Sequence, residues 1–190
     1  MPSMSSMPVV FTRTPYDKSG DPTGEYVNLF GYASIMQDMR GRYASQGVYM
    51  PMYSDSWDKN PYHPDYVHVL DVTDLDDPRN GNRHEDGYNS IRFIVDSLVR
   101  DYGNLPHVSD KMTTGDIAMF GASALGNSQY QAAAAHRIDP DPSKPGLKAL
   151  FPIVATLEHY RYTGYQNGVF RDRIVTGWLK GQIFTGTDDN

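Results

Sequence analysis

Ser123 stands in the segment Gly121-Ala122-Ser123-Ala124-Leu125-Gly126, directly behind the apolar run Ile117-Ala118-Met119-Phe120. An apolar run, a small-residue turn around a serine and a helix-forming stretch are the layout of a nucleophile elbow, in which a strand bends into a helix and lifts one hydroxyl clear of the sheet. Glycine or alanine flanks such a serine because the tight turn leaves no room for larger side chains. The chemistry is attack on an ester or amide carbonyl, which needs a base for the hydroxyl proton and donors for the oxyanion. The helix that follows points backbone N–H groups and its positive dipole end at the site. The backbone N–H of Ala124 is the natural first oxyanion donor. The same local pattern also suits a small residue filling a tight strand–helix junction, and the segment alone does not choose between them.

The bulk of the chain bounds what can surround that serine. Its 190 residues suffice for one domain, burying roughly two-thirds to three-quarters of the surface its unfolded chain exposes. Apolar content of 39% and charged content of 21% are those of an ordinary globular protein. A net charge of −6 speaks against a nucleic-acid binder, whose phosphate contacts need clustered Lys and Arg. No apolar run approaches the roughly 18 residues that span a bilayer, so no membrane partner is expected. Residues 1–7 show neither a basic nor an apolar signal region, which leaves the cytoplasm as the default compartment. The absence of cysteine excludes disulfides, thiol catalysis and cysteinyl metal sites.

The elements that must position Ser123 follow from the apolar pattern. Residues 8–12, 32–37, 116–120 and 147–154 are short runs rich in Val, Ile, Phe and Met, as in parallel strands covered on both faces. Residues 89–102 place Ile91, Ile94, Val95, Leu98 and Tyr102 at helical spacing, with Gly103 as a stop. Residues 125–137 are alanine-rich and helical, and residues 25–30 form a weaker helix. Strands alternating with helices give an α/β fold, a mostly parallel sheet flanked by helices.

Residues 50–87 break this rhythm with Pro51, Pro61, Pro64 and Pro78, many Asp and Tyr, and Trp57. Apart from one short strand at 66–72 they read as a long excursion. It leaves a strand's carboxyl end, where open α/β sheets bind ligands, and so reads as a wall of the site. Trp57, Tyr62 and Tyr66 suit either an aromatic pocket or anchors of the loop. Its acidic residues Asp71, Asp74, Asp76 and Asp77 fail the EF-hand spacing, because Pro78 and Arg79 fall where ligands are needed. A solvated acidic loop is expected there, with no metal.

Three further segments sharpen the reading. Val9-Val10-Phe11-Thr12-Arg13-Thr14-Pro15-Tyr16-Asp17-Lys18, then Gln37-Asp38-Met39-Arg40-Gly41 with Ser45 and Gly47, then residues 116–131 follow in order. Leu147-Lys148-Ala149 and Pro152 come after them. Together these resemble the cocaine esterase, X-prolyl dipeptidyl-peptidase and α-amino-acid ester hydrolase family of α/β-hydrolases. The resemblance implies that Ser123 is the nucleophile and that Tyr16, at the family's Arg-x-Pro-Tyr position, gives its phenol hydroxyl to the oxyanion hole. It implies a serine hydrolase acting through an acyl-enzyme on small esters, amides or X-Pro peptides, with no metal or organic cofactor. Asp38, Arg40 and Gly41 order the loop after the second strand, with Arg40 in a structural ion pair.

The family takes its base His and its Asp from segments well after the elbow, beyond a helical cap, and no position here matches either. The family's opening strands would likewise precede Met1. The chain therefore reads as the central part of such a hydrolase, holding the central strands only. Residues 1–157 are the core with its insertion at 50–87, and 158–190 are the start of a cap with a disordered tail from 185. The partner for the sheet's unpaired edges is then the rest of the hydrolase or a second copy of the chain. The alternative is a catalytically silent truncated or split hydrolase that serves as a binding or assembly module.

No histidine of this chain replaces the missing base convincingly. His136 lies about 20 Å along the helix from Ser123. His107 precedes the third strand, at the wrong sheet edge, and His63, His68 and His84 lie in the excursion. His159 follows the fourth strand at the correct edge, but Glu158-His159-Tyr160 reads as the start of the cap. Residues 162–171 resemble the cap start of the α-amino-acid ester hydrolases, where acidic residues hold the substrate ammonium. Thr163 and Gly164 stand there instead, which points to simple ester, amide or X-Pro peptide substrates over α-amino esters.

Overall fold

Among the described residues, four parallel strands form the main sheet, and the two in the middle carry the segments of Tyr16 and Ser123. The computed structural model describes residues 7–46, 49, 86–98, 113–136, 145–156 and 158–184. The strands are β1 (Met7–Thr14), β2 (Ala33–Asp38), β3 (Thr113–Ala122) and β4 (Gly146–Ile153), in the spatial order β2-β1-β3-β4. The helices are α1 (Thr23–Leu29), α2 (Asp86–Phe93), α3 (Ala124–His136) and α4 (Asp172–Phe184). The fold is the expected α/β arrangement of a parallel sheet flanked by helices.

The chain passes from β1 to β2 on one side and returns to place β3 on the other. The carboxyl ends of β1 and β3 therefore border the point where strand order reverses, the crevice in which open α/β sheets bind ligands. Tyr16 follows β1 and Ser123 follows β3, on the same edge of the sheet.

The core explains the register. Val9 and Phe11 from β1, Ile117 and Met119 from β3, Ile91 from α2 and Ile94 just after it are all at most 1% exposed and form one cluster with Ala132 of α3. Each such side chain contributes roughly 1.5–3 kcal/mol by leaving water. A slip of one residue in β3 would turn Ile117 and Met119 out of this cluster. Burial on both faces, expected of all four strands, is found along most of β1 only. β3 alternates, and β2 and β4 are partly exposed, because they are the outer strands of the described sheet.

Element bounds differ from the sequence reading in informative ways. α2 is already helical at Asp86, earlier than expected, and Arg40 grips the Asp86 carboxylate through Nε (3.1 Å) and Nη2 (2.7 Å). That is the structural ion pair expected of Arg40. From Ile94 to Leu98 the helix widens into a π-type turn, which keeps Ile94 in the core. The expected stop at Gly103, the short strand at 66–72, Trp57, Tyr62, Tyr66, the acidic cluster, His63, His68, His84, His107 and the tail from 185 lie outside the described residues. After β4 come a π-type turn (His159–Gly164) and a two-stranded hairpin of β5 (Tyr165–Gln166) and β6 (Val169–Phe170), which lead into α4. Among the described residues, no helix is long and apolar enough to cross a membrane.

Candidate active site

The bend at Ser123 is built by backbone that most residues avoid. Ser123 has φ of 57°, in the left-handed region that costs a non-glycine residue about 1–3 kcal/mol. Its N–H donates to the Ile153 carbonyl (2.8 Å), tying the bend to the end of β4. Its own carbonyl accepts from the N–H groups of Gly126 and Asn127 (3.0 Å each), which starts α3. The Ser123 side chain is exposed, while Ala124 beside it is 1% exposed.

Two glycines make this geometry possible. A Cβ on Gly121, whose φ is +151°, would stand 2.5 Å from Leu125 Cβ. A Cβ on Gly126 would stand 2.7 Å from Ala155 Cβ and 3.1 and 3.2 Å from the carbonyl oxygens of Gly121 and Ile153. Neither site has a flexible side-chain tip that could yield. Gly121→Ala is therefore expected to destabilise the protein by about 2–4 kcal/mol, adding backbone strain to a steric clash. Gly126→Ala should cost about 1–3 kcal/mol by wedging α3 from β4, and Ala155→Gly should recover part of that loss. Urea unfolding of the single and double variants measures both; an unchanged midpoint for Gly121→Ala would show that the bend is not held as described.

Behind the bend, Gln129 is fully buried and holds three backbone groups. Its Nε2 donates to the carbonyls of Gly121 (3.2 Å) and Phe151 (3.3 Å), and its Oε1 accepts from the Phe151 N–H (3.0 Å). One turn past the serine, Asn127 Oδ1 accepts from the Thr156 N–H (2.8 Å). The bend, the first turn of α3 and the segment after β4 are thus one hydrogen-bonded unit.

Tyr16 reaches the same region through α4. Its phenol oxygen accepts a hydrogen bond from Trp178 Nε1 (2.9 Å). The Trp178 ring in turn packs against Met39 and Ala124. A chain of two contacts therefore links Tyr16 to the residue after Ser123. The turn carrying Tyr16 is held from below by Arg42, which is fully buried and donates from Nε to the Pro15 carbonyl (2.9 Å). Arg42 Nη1 donates to the Gln182 carbonyl of α4, and its guanidinium lies 5.0 and 4.9 Å from the ring centres of Tyr43 and Tyr49. Burial pushes the Tyr49 phenol well up, against the opposing charge of Arg42, so it stays neutral. Asp38 accepts from the Lys18 backbone N–H (2.7 Å) and from Lys18 Nζ (2.5 Å), and its carbonyl accepts from Ser45 Oγ (2.7 Å). Asp38 thus orders the loops after β1 and β2, as expected of it.

Ser123 opens into a cavity of about 510 Å³. Its apolar wall comes from Val154, Ala155, Ile174, Val175, Trp178 and Leu179. Val154, with φ of 50°, is a second residue in left-handed conformation at the end of a strand beside Ser123, and a β-branched one. Polar groups on the wall are Asn127, Thr156, Tyr162, Thr163 and Arg171.

Among the described residues no imidazole lines this cavity. His159 puts Nδ1 3.4 Å from Thr163 Oγ1, and burial holds its imidazole below the usual value. His136 ends α3, far along the helix from the bend. No group of three His, Asp or Glu side chains that could hold a metal ion occurs among the described residues.

The family profile described as X-Pro dipeptidyl-peptidase (S15 family) matches residues 1–189. The chain belongs to the S15 family. Over 181 residues it is 29% identical to the cocaine esterase of Rhodococcus sp. (strain MB1 Bresler), a match covering 90% of this chain and 23% of that protein. A solved structure titled α-amino acid ester hydrolase labelled with selenomethionine shares the fold. It superposes with a TM-score of 0.57 at 20% identity, over 97% of this chain and 26% of that one. This S15 chain thus spans about a quarter of the length of the relatives it matches. The sheet and its flanking helices are of the α/β-hydrolase type, and the family is one of hydrolases.

Sequence reasoning singled out Ser123, Ala124 and Tyr16 but missed Trp178, Arg42 and Arg171. Trp178 lies 162 positions from Tyr16, and no local spacing links two residues so far apart. Arg42 was legible only as one more residue after the Asp38-Met39-Arg40-Gly41 run. Its meaning depends on α4 closing over it.

Proposed function

We propose that the S15 chain carries the nucleophile of a serine hydrolase, with Ser123 attacking an ester or amide carbonyl to form an acyl-enzyme. The exposed Ser123 hydroxyl at the mouth of the cavity, on a bend enforced by Gly121 and Gly126, carries this reading. As the carbonyl becomes tetrahedral, its oxygen takes negative charge, and two donors meet it. One is the Ala124 N–H, among the first of α3 and so without an intrahelical acceptor. The other is the Tyr16 hydroxyl. Because the phenol oxygen already accepts from Trp178, its own proton is left to donate, and the incoming N–H polarises it further. Water then releases the acid. In this reading the base that takes the serine proton lies outside the described residues.

The cocaine esterase relative, by its name, acts on an ester, and the family's name refers to X-Pro peptides. Small esters, amides and short peptides are therefore the proposed substrates. A fluorophosphonate probe tests the reading on the protein in its full natural length. Stoichiometric labelling at Ser123, lost in Ser123→Ala, is the expected result. A folded protein left unlabelled at Ser123 overturns it and favours a silent binding or assembly module.

A further inference from the structure

Arg171 is the one charged residue on the cavity wall among the described residues, in a chain whose net charge is −6. Its position is built. Its backbone N–H donates to the Gly164 carbonyl (2.8 Å), and its carbonyl accepts from the N–H groups of Ile174 and Val175 (3.1 and 3.0 Å), which starts α4. Its Nη1 donates to the carbonyl of Tyr162 (3.0 Å), another residue of the cavity wall. Among the described residues its Nε and Nη2 make no hydrogen bond, and a guanidinium offers five donors in a fork suited to a carboxylate.

The nearby acids are engaged elsewhere. Asp172 accepts from Thr176 Oγ1 (2.6 Å), and Glu158 pairs with Arg161 Nε (3.5 Å). Neither lines the cavity. A ligand ammonium placed here would meet a fixed positive charge, whereas a carboxylate would find a fork that no acid among the described residues neutralises. The rest of the wall is mainly apolar, so the group between the reacting carbonyl and that charge is a hydrocarbon.

We infer that this cavity selects substrates whose bound portion is apolar and ends in a carboxylate, with Arg171 as the residue that determines the preference. The inference rests on the hydrolase reading for the reacting end only. Binding tests it without turnover. Dicarboxylates of six, eight and ten carbons are titrated into the protein and into Ser123→Ala, each against the fatty acid and the ω-amino acid of equal length. All three share one carboxylate for the serine end and differ only at the far end. At the best-fitting length the dicarboxylate should bind about tenfold tighter than the fatty acid, and the ω-amino acid weaker than both. Added salt should narrow the gap.

Arg171→Gln should abolish the ranking, and Arg171→Lys should retain part of it. Equal or tighter binding of the fatty acid or the ω-amino acid at every length overturns the inference, as does a complete lack of binding. The ranking on the unaltered protein is decisive even where an Arg171 variant fails to fold. If the ranking holds while the fluorophosphonate leaves Ser123 unlabelled, the anion preference stands and the acyl-transfer reading falls. Labelling without the ranking means the converse.

Discussion

Ser123→Ala is expected to lower kcat for an activated ester by on the order of 10⁵-fold or more, because the covalent route disappears with the hydroxyl. The variant keeps every other part of the bend. Alanine accepts the same left-handed backbone, the N–H still donates to Ile153, and Gln129 still holds Gly121 and Phe151. The hydroxyl is exposed, so its removal should shift the thermal midpoint by no more than about 2 °C. Activity and melting measured on the same preparation separate the two effects. A folded variant that retains more than about one-hundredth of the activity removes the case for Ser123 as nucleophile.

Tyr16→Phe is the second large effect. It deletes one hydroxyl that the proposed mechanism uses only when the carbonyl oxygen becomes charged. Losing such a donor costs on the order of 10²- to 10³-fold in kcat, or about 3–4 kcal/mol of transition-state stabilisation, with little change in KM. Trp178 acts through that phenol. Trp178→Phe keeps an aromatic ring against Met39 and Ala124 but removes the N–H that orients Tyr16, and should cost about tenfold in kcat. The double variant should then be no slower than Tyr16→Phe alone, since Trp178 has no second route to the oxyanion. Full additivity of the two losses would mean that Trp178 serves packing and not the phenol.

Much of the fold was legible before any coordinates, because local chemistry dictates it. The apolar runs located the four described parallel strands, and the alanine-rich stretch located α3. The failures have physical causes. The turn of α2 at 86–88 was missed because the apolar periodicity begins only at Ile91, whereas the long-range Arg40–Asp86 ion pair that ties this turn to the loop after β2 leaves no local spacing. The two-sided burial expected of all four strands failed for β2 and β4, the outer strands of the described sheet, and for β3, which alternates.

For the candidate site, the sequence was sufficient to place a strand–helix bend at Ser123, because a serine amid Gly and Ala between a strand and a helix is a local signal. The small residues it requires are adjacent in the chain. Which groups surround that hydroxyl was a tertiary matter. α4 returns across the carboxyl edge of the sheet, and only that return brings Trp178 onto Tyr16, Gln182 onto Arg42 and Arg171 onto the cavity wall. The first two of these contacts join residues more than a hundred positions apart. Their partners share no spacing that a linear reading detects, and they form because packing of the whole domain closes that loop.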